Sequence, residues 1–297
     1  MELRTRMGKA ELENPTVLAS GILGTSAELM QRVADNGAGA VTTKSIGPIE
    51  RDGHKNPTVV EIENGLINAV GLPTPGYLNM DDEFKEWKKL SVPLIASIYG
   101  SCVEDYVKIA AYIQKYKPAI IELNISCPNK DDGMVFGKSA ELTFKLVRAV
   151  KEVSRIPIMP KLTPNCENIG EIAAACEKAG ADIICAINTV QKEILHPILK
   201  VPVLAYGKGG VSGPAIRKTA LEKVREIRKA VKIPIVGVGG IQTGKDVVEM
   251  LQAGANAVGI GSGVYFRGMD VFKKVCDEMK VIMKKRGWKK IKNAQNP

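Results

Sequence analysis

Asn124-Ile-Ser-Cys-Pro-Asn129 sets one thiol between two carboxamides, directly behind the apolar run Ala119, Ile120, Ile121 and Leu123. A cysteine at the mouth of a strand can serve as a base or a nucleophile, and flanking asparagines can clamp a flat polar substrate against it. A lone cysteine is as readily a small core residue, so its neighbours along the chain decide between the two readings. Two lysines, Lys44 and Lys161, also fall at the ends of apolar runs. They read either as rim charges or as groups that stabilise negative charge on a bound ligand. The two histidines, His54 and His196, fall in loops beside Gly53 and Pro197 and read as surface residues. With histidine set aside, Cys127 is the best candidate for a base. A free thiol titrates near pH ~8.5, and a nearby Lys44 would favour its thiolate.

These groups need elements to position them. Short strands are predicted at Thr16–Ser20, Ala40–Lys44, Leu94–Ile98, Ile120–Ile125, Ile158–Leu162, Ile183–Ile187, Ile235–Val238 and Ala257–Ile260, with helical stretches between them. The strands are nearly all apolar rather than alternating, as in a parallel sheet buried on both faces. Asn36-Gly-Ala-Gly-Ala-Val, Ala179-Gly-Ala-Asp-Ile-Ile and Ala253-Gly-Ala-Asn-Ala-Val share one helix-to-strand pattern, with a glycine suited to ending a helix. Pro93, Pro157 and Pro234 stand at strand starts, where a missing N–H is tolerated.

Eight such strands make a single-domain (β/α)8 barrel the expected fold over residues 1–297, and the length suits one, since such barrels typically take about 250 residues. A doubly wound sheet is the alternative, but Gly21-Ile-Leu-Gly24 does not form the dinucleotide fingerprint. The connections from Ser45 to Val92 and from Asn188 to Pro234 exceed what a barrel needs, and such excursions are where a substrate cover is built.

Reactive groups of this fold gather at the C-terminal ends of its strands. Standing there are Ser20, Lys44, Ser45, Asn124, Cys127, Lys161, Asn188 and Thr189, followed by Gly239-Gly240 and Gly261-Ser262-Gly263. Glycine-rich turns after strands seven and eight let backbone N–H groups approach a phosphate, so a phosphate-bearing ligand is expected over them.

Composition narrows the class. Six cysteines are scattered without a Cys-x-x-Cys pair, which argues against zinc, an iron–sulfur cluster or a disulfide framework and for reduced thiols in the cytoplasm. No apolar run approaches the roughly 18 residues a membrane span needs, and Met1-Glu-Leu-Arg-Thr-Arg-Met-Gly does not resemble a signal peptide. The formal charge is +10, but nine Lys/Arg against two Asp/Glu between Lys273 and Lys292 supply +7 of it. That segment reads as the solvated end of a terminal helix, and no aromatic-rich basic strand supports nucleic acid binding.

Taken in order, Thr43-Lys44-Ser45, Asn68-Ala-Val-Gly-Leu72, Asn124-Ile-Ser-Cys-Pro-Asn129, Phe136-Gly137, Lys161-Leu-Thr-Pro, Gly210-Val-Ser-Gly-Pro214 and Val238-Gly-Gly-Ile241 resemble the class 1 dihydroorotate dehydrogenases over essentially the whole chain. Within that class the chain is similar to the 1B group. The resemblance implies an FMN-containing catalytic subunit of pyrimidine biosynthesis, a homodimer core of a heterotetramer. A partner subunit with FAD and a [2Fe–2S] cluster would pass electrons to NAD+.

The resemblance further implies that Cys127 removes a proton from C5 of dihydroorotate while hydride leaves C6. Substrate would be held by Lys44, Asn68, Ala69, Val70, Gly71, Leu72, Asn124, Asn129, Asn188 and Thr189. FMN would contact Ser20, Lys44, Ser45, Asn124, Lys161, Ile187 and Gly213, with its phosphate over Gly239, Gly240, Gly261 and Ser262. Lys130–Lys138 is similar to the family's mobile cover. Two departures stand out. Ala96-Ser97-Ile98 has Ser97 where the family usually has Asn, so a flavin hydrogen bond from that position would have shorter reach. Pro73-Thr74-Pro75-Gly76 follows Leu72, where Gln-Asn or Pro-Asn is more common.

Other readings remain open on the sequence alone: a dihydropyrimidine dehydrogenase-type reductase, a 1A-type enzyme using fumarate, a dihydrouridine synthase, or a barrel that only binds a phosphorylated ligand. No metal site is expected.

Overall fold

The computed structural model describes residues 1–126 and 135–295. Eight strands form one sheet: β1 (Thr16–Leu18), β2 (Val41–Thr42), β3 (Leu94–Ile98), β4 (Ile120–Asn124), β5 (Ile158–Leu162), β6 (Ile184–Ala186), β7 (Ile235–Val238) and β8 (Ala257–Ile260). Its order is β1-β8-β7-β6-β5-β4-β3-β2, and every pairing is parallel. A parallel bridge between Val17 and Ala40, with the Leu18 N–H donating to Ala40 O at 2.9 Å, brings the two edges together. The result is the (β/α)8 barrel expected from the strand rhythm.

Every residue of β3 and β5 is buried, because the barrel interior covers one face and helices cover the other. Those helices include Ala27–Asp35, Val103–Ile113, Ala140–Val153, Ile169–Ala179, Arg217–Ala230, Gly244–Gln252 and Val271–Lys285. Ser26, Ser139 and Asn168 cap three of them through side-chain oxygens, and Thr243 with Asp246 forms a reciprocal capping box. Gly180 ends Ile169–Ala179 at φ 100°, a conformation that an L side chain rarely adopts. Pro93, Pro157 and Pro234 stand immediately before β3, β5 and β7.

Two features were not expected. First, an antiparallel hairpin, Thr5–Met7 with Ala10–Leu12, precedes β1. Its Met7 and Leu12 join Val17, Ala40, Ile95, Ile120, Met159, Ile183, Cys185, Val236 and Ala257 in one cluster that fills the lower barrel. Strands this short leave little periodicity to detect.

Second, the two long excursions meet. Val59–Ile62 and Gly65–Asn68 come from one, Val190–Glu193 and Lys208–Ser212 from the other, and the four form an antiparallel sheet. The pairing joins segments about 140 positions apart, as Asn68 opposite Gly210 shows. Local sequence carries no record of such a partner.

Candidate active site

Side chains inside the barrel change character along the strands. Below lies the apolar cluster just described. Above it stand Ser97 on β3, Glu122 and Asn124 on β4 and Lys161 on β5, with Cys185 of β6 at the upper edge of the cluster. Register places Ser97 opposite Glu122, Asn124 opposite Lys161, and Lys161 opposite Cys185. Side chains at alternate positions share a strand face, so these groups all line the interior.

Hydrogen bonds link Glu122, Ser97 and Asn124 with Ser45 and Asn188 into a column. The Ser97 hydroxyl donates to Glu122 Oε1 at 2.8 Å and lies 3.0 Å from the Ser45 hydroxyl. Asn124 Nδ2 donates to Ser45 Oγ at 3.2 Å, and Asn188 Nδ2 donates to Asn124 Oδ1 at 3.3 Å and to Ser126 Oγ at 2.9 Å. Beyond Asn188, the Thr189 N–H donates to its Oδ1 at 2.8 Å. The Tyr106 hydroxyl donates to the Asn124 carbonyl at 2.8 Å, which ties the end of β4 to helix Val103–Ile113. Ser20 donates to Thr43 O at 2.8 Å, and Thr43 Oγ1 accepts from the Ser97 N–H at 2.9 Å.

Among the described residues, Lys44 and Lys161 bring positive charge to the mouth. Half-buried Lys44 forms no ion pair with a described carboxylate, and desolvation holds its ammonium below the usual lysine range. Lys161 is 6% exposed and stands opposite Asn124 and Cys185 on the neighbouring strands. Burial pushes the Cys185 thiol well above its ordinary value; the Glu122 charge raises it further, Lys161 opposes, and hydrogen bonding to Glu122 adds to the rise. Cys185 is therefore an inert core thiol.

Asn68 ends its strand with Nδ2 donating to Gly210 O at 3.1 Å. The chain then runs through Ala69, Val70, Gly71 (φ 87°) and Leu72 (φ 55°), whose carbonyl accepts from the Tyr99 hydroxyl at 3.0 Å. Thr189 packs against Gly210 so closely that a Cβ there would lie 2.0 Å from its hydroxyl. The four-stranded sheet thus holds Asn68 and Thr189 as one unit above the barrel. His54, expected as a surface residue, is half-buried: its Nδ1 lies 3.1 Å from Ala69 O and its ring stacks on Tyr206 at 4.0 Å. It supports the Asn68–Leu72 turn.

Gly239 and Gly240 follow β7 at φ 139° and 72°, and Gly213 stands at φ 88°. A Cβ on Gly240 would lie 2.6 Å from Arg217 Cβ and 3.1 Å from Gly213 O, so the two turns pack directly on each other. Gly261 after β8 differs: a Cβ there would meet only Ala19, at 3.7 Å, and otherwise enter open space. Ile187 is 1% exposed beneath the cluster.

The structure therefore brings together Ser20, Lys44, Ser45, Ser97, Asn124, Lys161, Asn188 and Thr189. Ser97 is wholly enclosed, its hydroxyl engaged by Ser45 and Glu122. Cys127, Asn129 and the Lys130–Met134 part of the expected cover lie outside the described residues; Phe136–Lys138 forms a turn of 3-10 helix. Glu122 is the residue that sequence alone does not single out. Its signal is a carboxylate within the buried run Ile120–Leu123, where a charge must have a partner. Among the described residues no group of three or more His, Cys, Asp or Glu could hold a metal ion. A cleft of about 530 Å³ lined by Trp87, Pro93, Tyr116 and Lys117 opens at the opposite, N-terminal end of the barrel, away from these groups.

Residues 2–283 match the family model described as dihydroorotate dehydrogenase. The chain belongs to that family. It is 46% identical to the dihydroorotate dehydrogenase B (NAD(+)), catalytic subunit, of Methanocaldococcus jannaschii, over 93% of this chain and 92% of that one. The subunits of the same name from Pyrococcus abyssi and Methanothermobacter thermautotrophicus are 42% and 41% identical. They cover 95% and 97% of this chain, and 94% and 96% of their own length. All three names point within the dihydroorotate dehydrogenases to the 1B group, as the motifs led one to expect.

Proposed function

We propose that this chain is the catalytic subunit of an NAD+-linked dihydroorotate dehydrogenase and oxidises dihydroorotate to orotate in pyrimidine biosynthesis. The observation that carries this reading is the column Asn188–Asn124–Ser45 at the barrel mouth, flanked by two cationic side chains that form no salt bridge with a described carboxylate. Carboxamides offer a donor and an acceptor side by side, which matches the amide-like edges of a dihydropyrimidine ring. Such a site discriminates against analogues lacking those edges, because its own polar atoms would be left unpaired.

The residues present also fit FMN. Lys44 and Lys161 supply positive charge in a partly desolvated setting, and the space beside Gly261 is a cradle that a Cβ would occupy. Ser20, Lys44, Ser45, Asn124, Lys161, Ile187 and Gly213 would hold the ring and ribityl chain, with Ser97 behind them. Gly239, Gly240, Gly261 and Ser262 would receive the phosphate. FMN, when bound, supplies the acceptor for the hydride that leaves C6 of dihydroorotate.

Cys127 takes the proton from C5, so that the loss of one proton and one hydride leaves the C5=C6 double bond of orotate. Its sequence position, three residues beyond Asn124, supports this role, as does the absence of a histidine from the column. Lys44, Asn68, Ala69, Val70, Gly71, Leu72, Asn129, Asn188 and Thr189 hold the substrate; the Lys44 ammonium suits its carboxylate. The relatives' shared name favours NAD+ over fumarate as the final acceptor.

Reaching NAD+ takes a partner subunit, which we assign FAD and a [2Fe–2S] cluster around a homodimer of this chain. Leu195, Ile198, Leu199 and Val201 are exposed together on the excursion after β6, and an apolar surface of this kind supports a protein partner. The five described cysteines are free, in keeping with a cytoplasmic enzyme, and one shared barrel core supports a single domain. The test is anaerobic mixing of the FMN-loaded chain with dihydroorotate. Bleaching of the flavin band is expected; lasting colour would overturn the reading.

A further inference from the structure

The column at the barrel mouth has a direction. Glu122, as a carboxylate, can only accept hydrogen bonds, and it is 2% exposed with Ser97 Oγ at 2.8 Å. A hydroxyl carries one proton. The Ser97 proton goes to Glu122, so the 3.0 Å contact between Ser97 and Ser45 must be made by the Ser45 proton. Ser45 then has none left and can only receive from Asn124. That turns the nitrogen of the Asn124 amide toward Ser45 and its oxygen toward Asn188. The far end agrees: the Thr189 N–H pins Asn188 Oδ1, leaving Asn188 Nδ2 as the donor to Asn124.

Counting groups shows what remains for a ligand. The Asn124 amide has two N–H donors and two acceptor lone pairs. Among the described residues one donor goes to Ser45 and one lone pair to Asn188, which leaves one of each in a fixed order. With the amide reversed, donor and acceptor would change places, and a ring edge that fits one order would meet like against like in the other.

We propose that Glu122 and Ser97 are positioning residues that fix, through Ser45, which way round the Asn124 carboxamide meets the pyrimidine, and so set the orotate-binding specificity of the site. This inference rests on the proposed function. It departs from reading Ser97 as a flavin contact and gives Glu122 a role where none was expected.

The test uses FMN-loaded protein and equilibrium titration with orotate, read from the flavin's visible spectrum. The set comprises the parent, Ser97→Ala, Ser97→Thr and Glu122→Gln. Losing the order of one hydrogen bond should weaken orotate binding about fivefold in Ser97→Ala. Ser97→Thr keeps the hydroxyl, at the cost of an added methyl in an enclosed site, and should retain more orotate affinity than Ser97→Ala. In Glu122→Gln the amide can donate as well as accept, so the column loses its direction and binding should weaken by a similar factor.

Parent-like binding by either Ser97→Ala or Glu122→Gln overturns the proposal. So does a loss in Ser97→Thr equal to that in Ser97→Ala, because packing would then explain both. A parent that does not bind orotate defeats the functional reading itself, and this inference with it. Should a variant fail to fold, neutron diffraction of the deuterated parent decides. Deuterium on Ser97 directed at Glu122, and on Ser45 directed at Ser97, is expected; the reverse order overturns it.

Discussion

Gly261→Ala separates the phosphate seat from the fold. The methyl group would meet only Ala19 Cβ, at the ordinary contact distance of 3.7 Å, and Gly261 has no positive φ to disturb. Stability of the FMN-free protein should therefore change by no more than about 0.5 kcal/mol, as for an uncrowded substitution. The methyl enters the space assigned to the phosphate, however, and obstructs backbone N–H groups that would donate to it. A hydrogen bond to a charged group contributes about 1.5–3 kcal/mol, so losing one should weaken FMN binding by roughly 10- to 150-fold. Flavin fluorescence quenching by FMN-free protein measures the affinity, and thermal melting of the same sample measures the fold. Parent-like FMN affinity would refute the seat between the β7 and β8 turns. A collapsed melting temperature would refute the claim that the space is empty.

Gly240→Ala should behave in the opposite way. Its Cβ would sit 2.6 Å from Arg217 Cβ at φ 72°, so the FMN-free protein should lose about 2–4 kcal/mol by strain and overpacking, measured by urea unfolding. Lys44→Met should stabilise the FMN-free protein while weakening orotate binding, because desolvation penalises the charged ammonium in the folded state. The sign follows from linkage: a lysine depressed on folding destabilises most below its folded pKa. Stability is regained as pH rises from there toward 10.5, so the parent should gain on Lys44→Met over that window in melting experiments. Iodoacetamide at mildly alkaline pH should modify Cys127 first, read by peptide mass mapping. Burial raises the thiol pKa of Cys102, Cys166, Cys176, Cys185 and Cys276. Earlier labelling of any of these would count against an activated Cys127.

Much of this was legible in the chain. β3, β5, β7 and β8 fall on their expected bounds, because runs such as Leu94–Ile98 are buried on both faces and punctuated by proline or glycine. β1, β2, β4 and β6 are shorter than expected: Ser20, Lys44, Ile125 and Ile187 lie just past the ladder, where the chain turns to form the mouth. Strand-end position also brought Lys44, Asn124, Lys161 and Asn188 to one place. What was not legible depends on pairing at a distance. The antiparallel sheet of the two excursions needs Gly210 against Asn68, and neither segment records the other. Glu122 was hidden for a related reason. Its partner Ser97 is on a neighbouring strand, and only register shows that the two face each other.

The most direct measurement is a crystal structure of the FMN-loaded protein with orotate. The flavin phosphate is expected over Gly239, Gly240, Gly261 and Ser262. The orotate ring is expected against the carboxamides of Asn124 and Asn188, with its carboxylate toward Lys44 and the Cys127 sulfur within hydrogen-bond reach of C5. Orotate lodged elsewhere, or a Cys127 sulfur turned away from the ring, would overturn the proposed function.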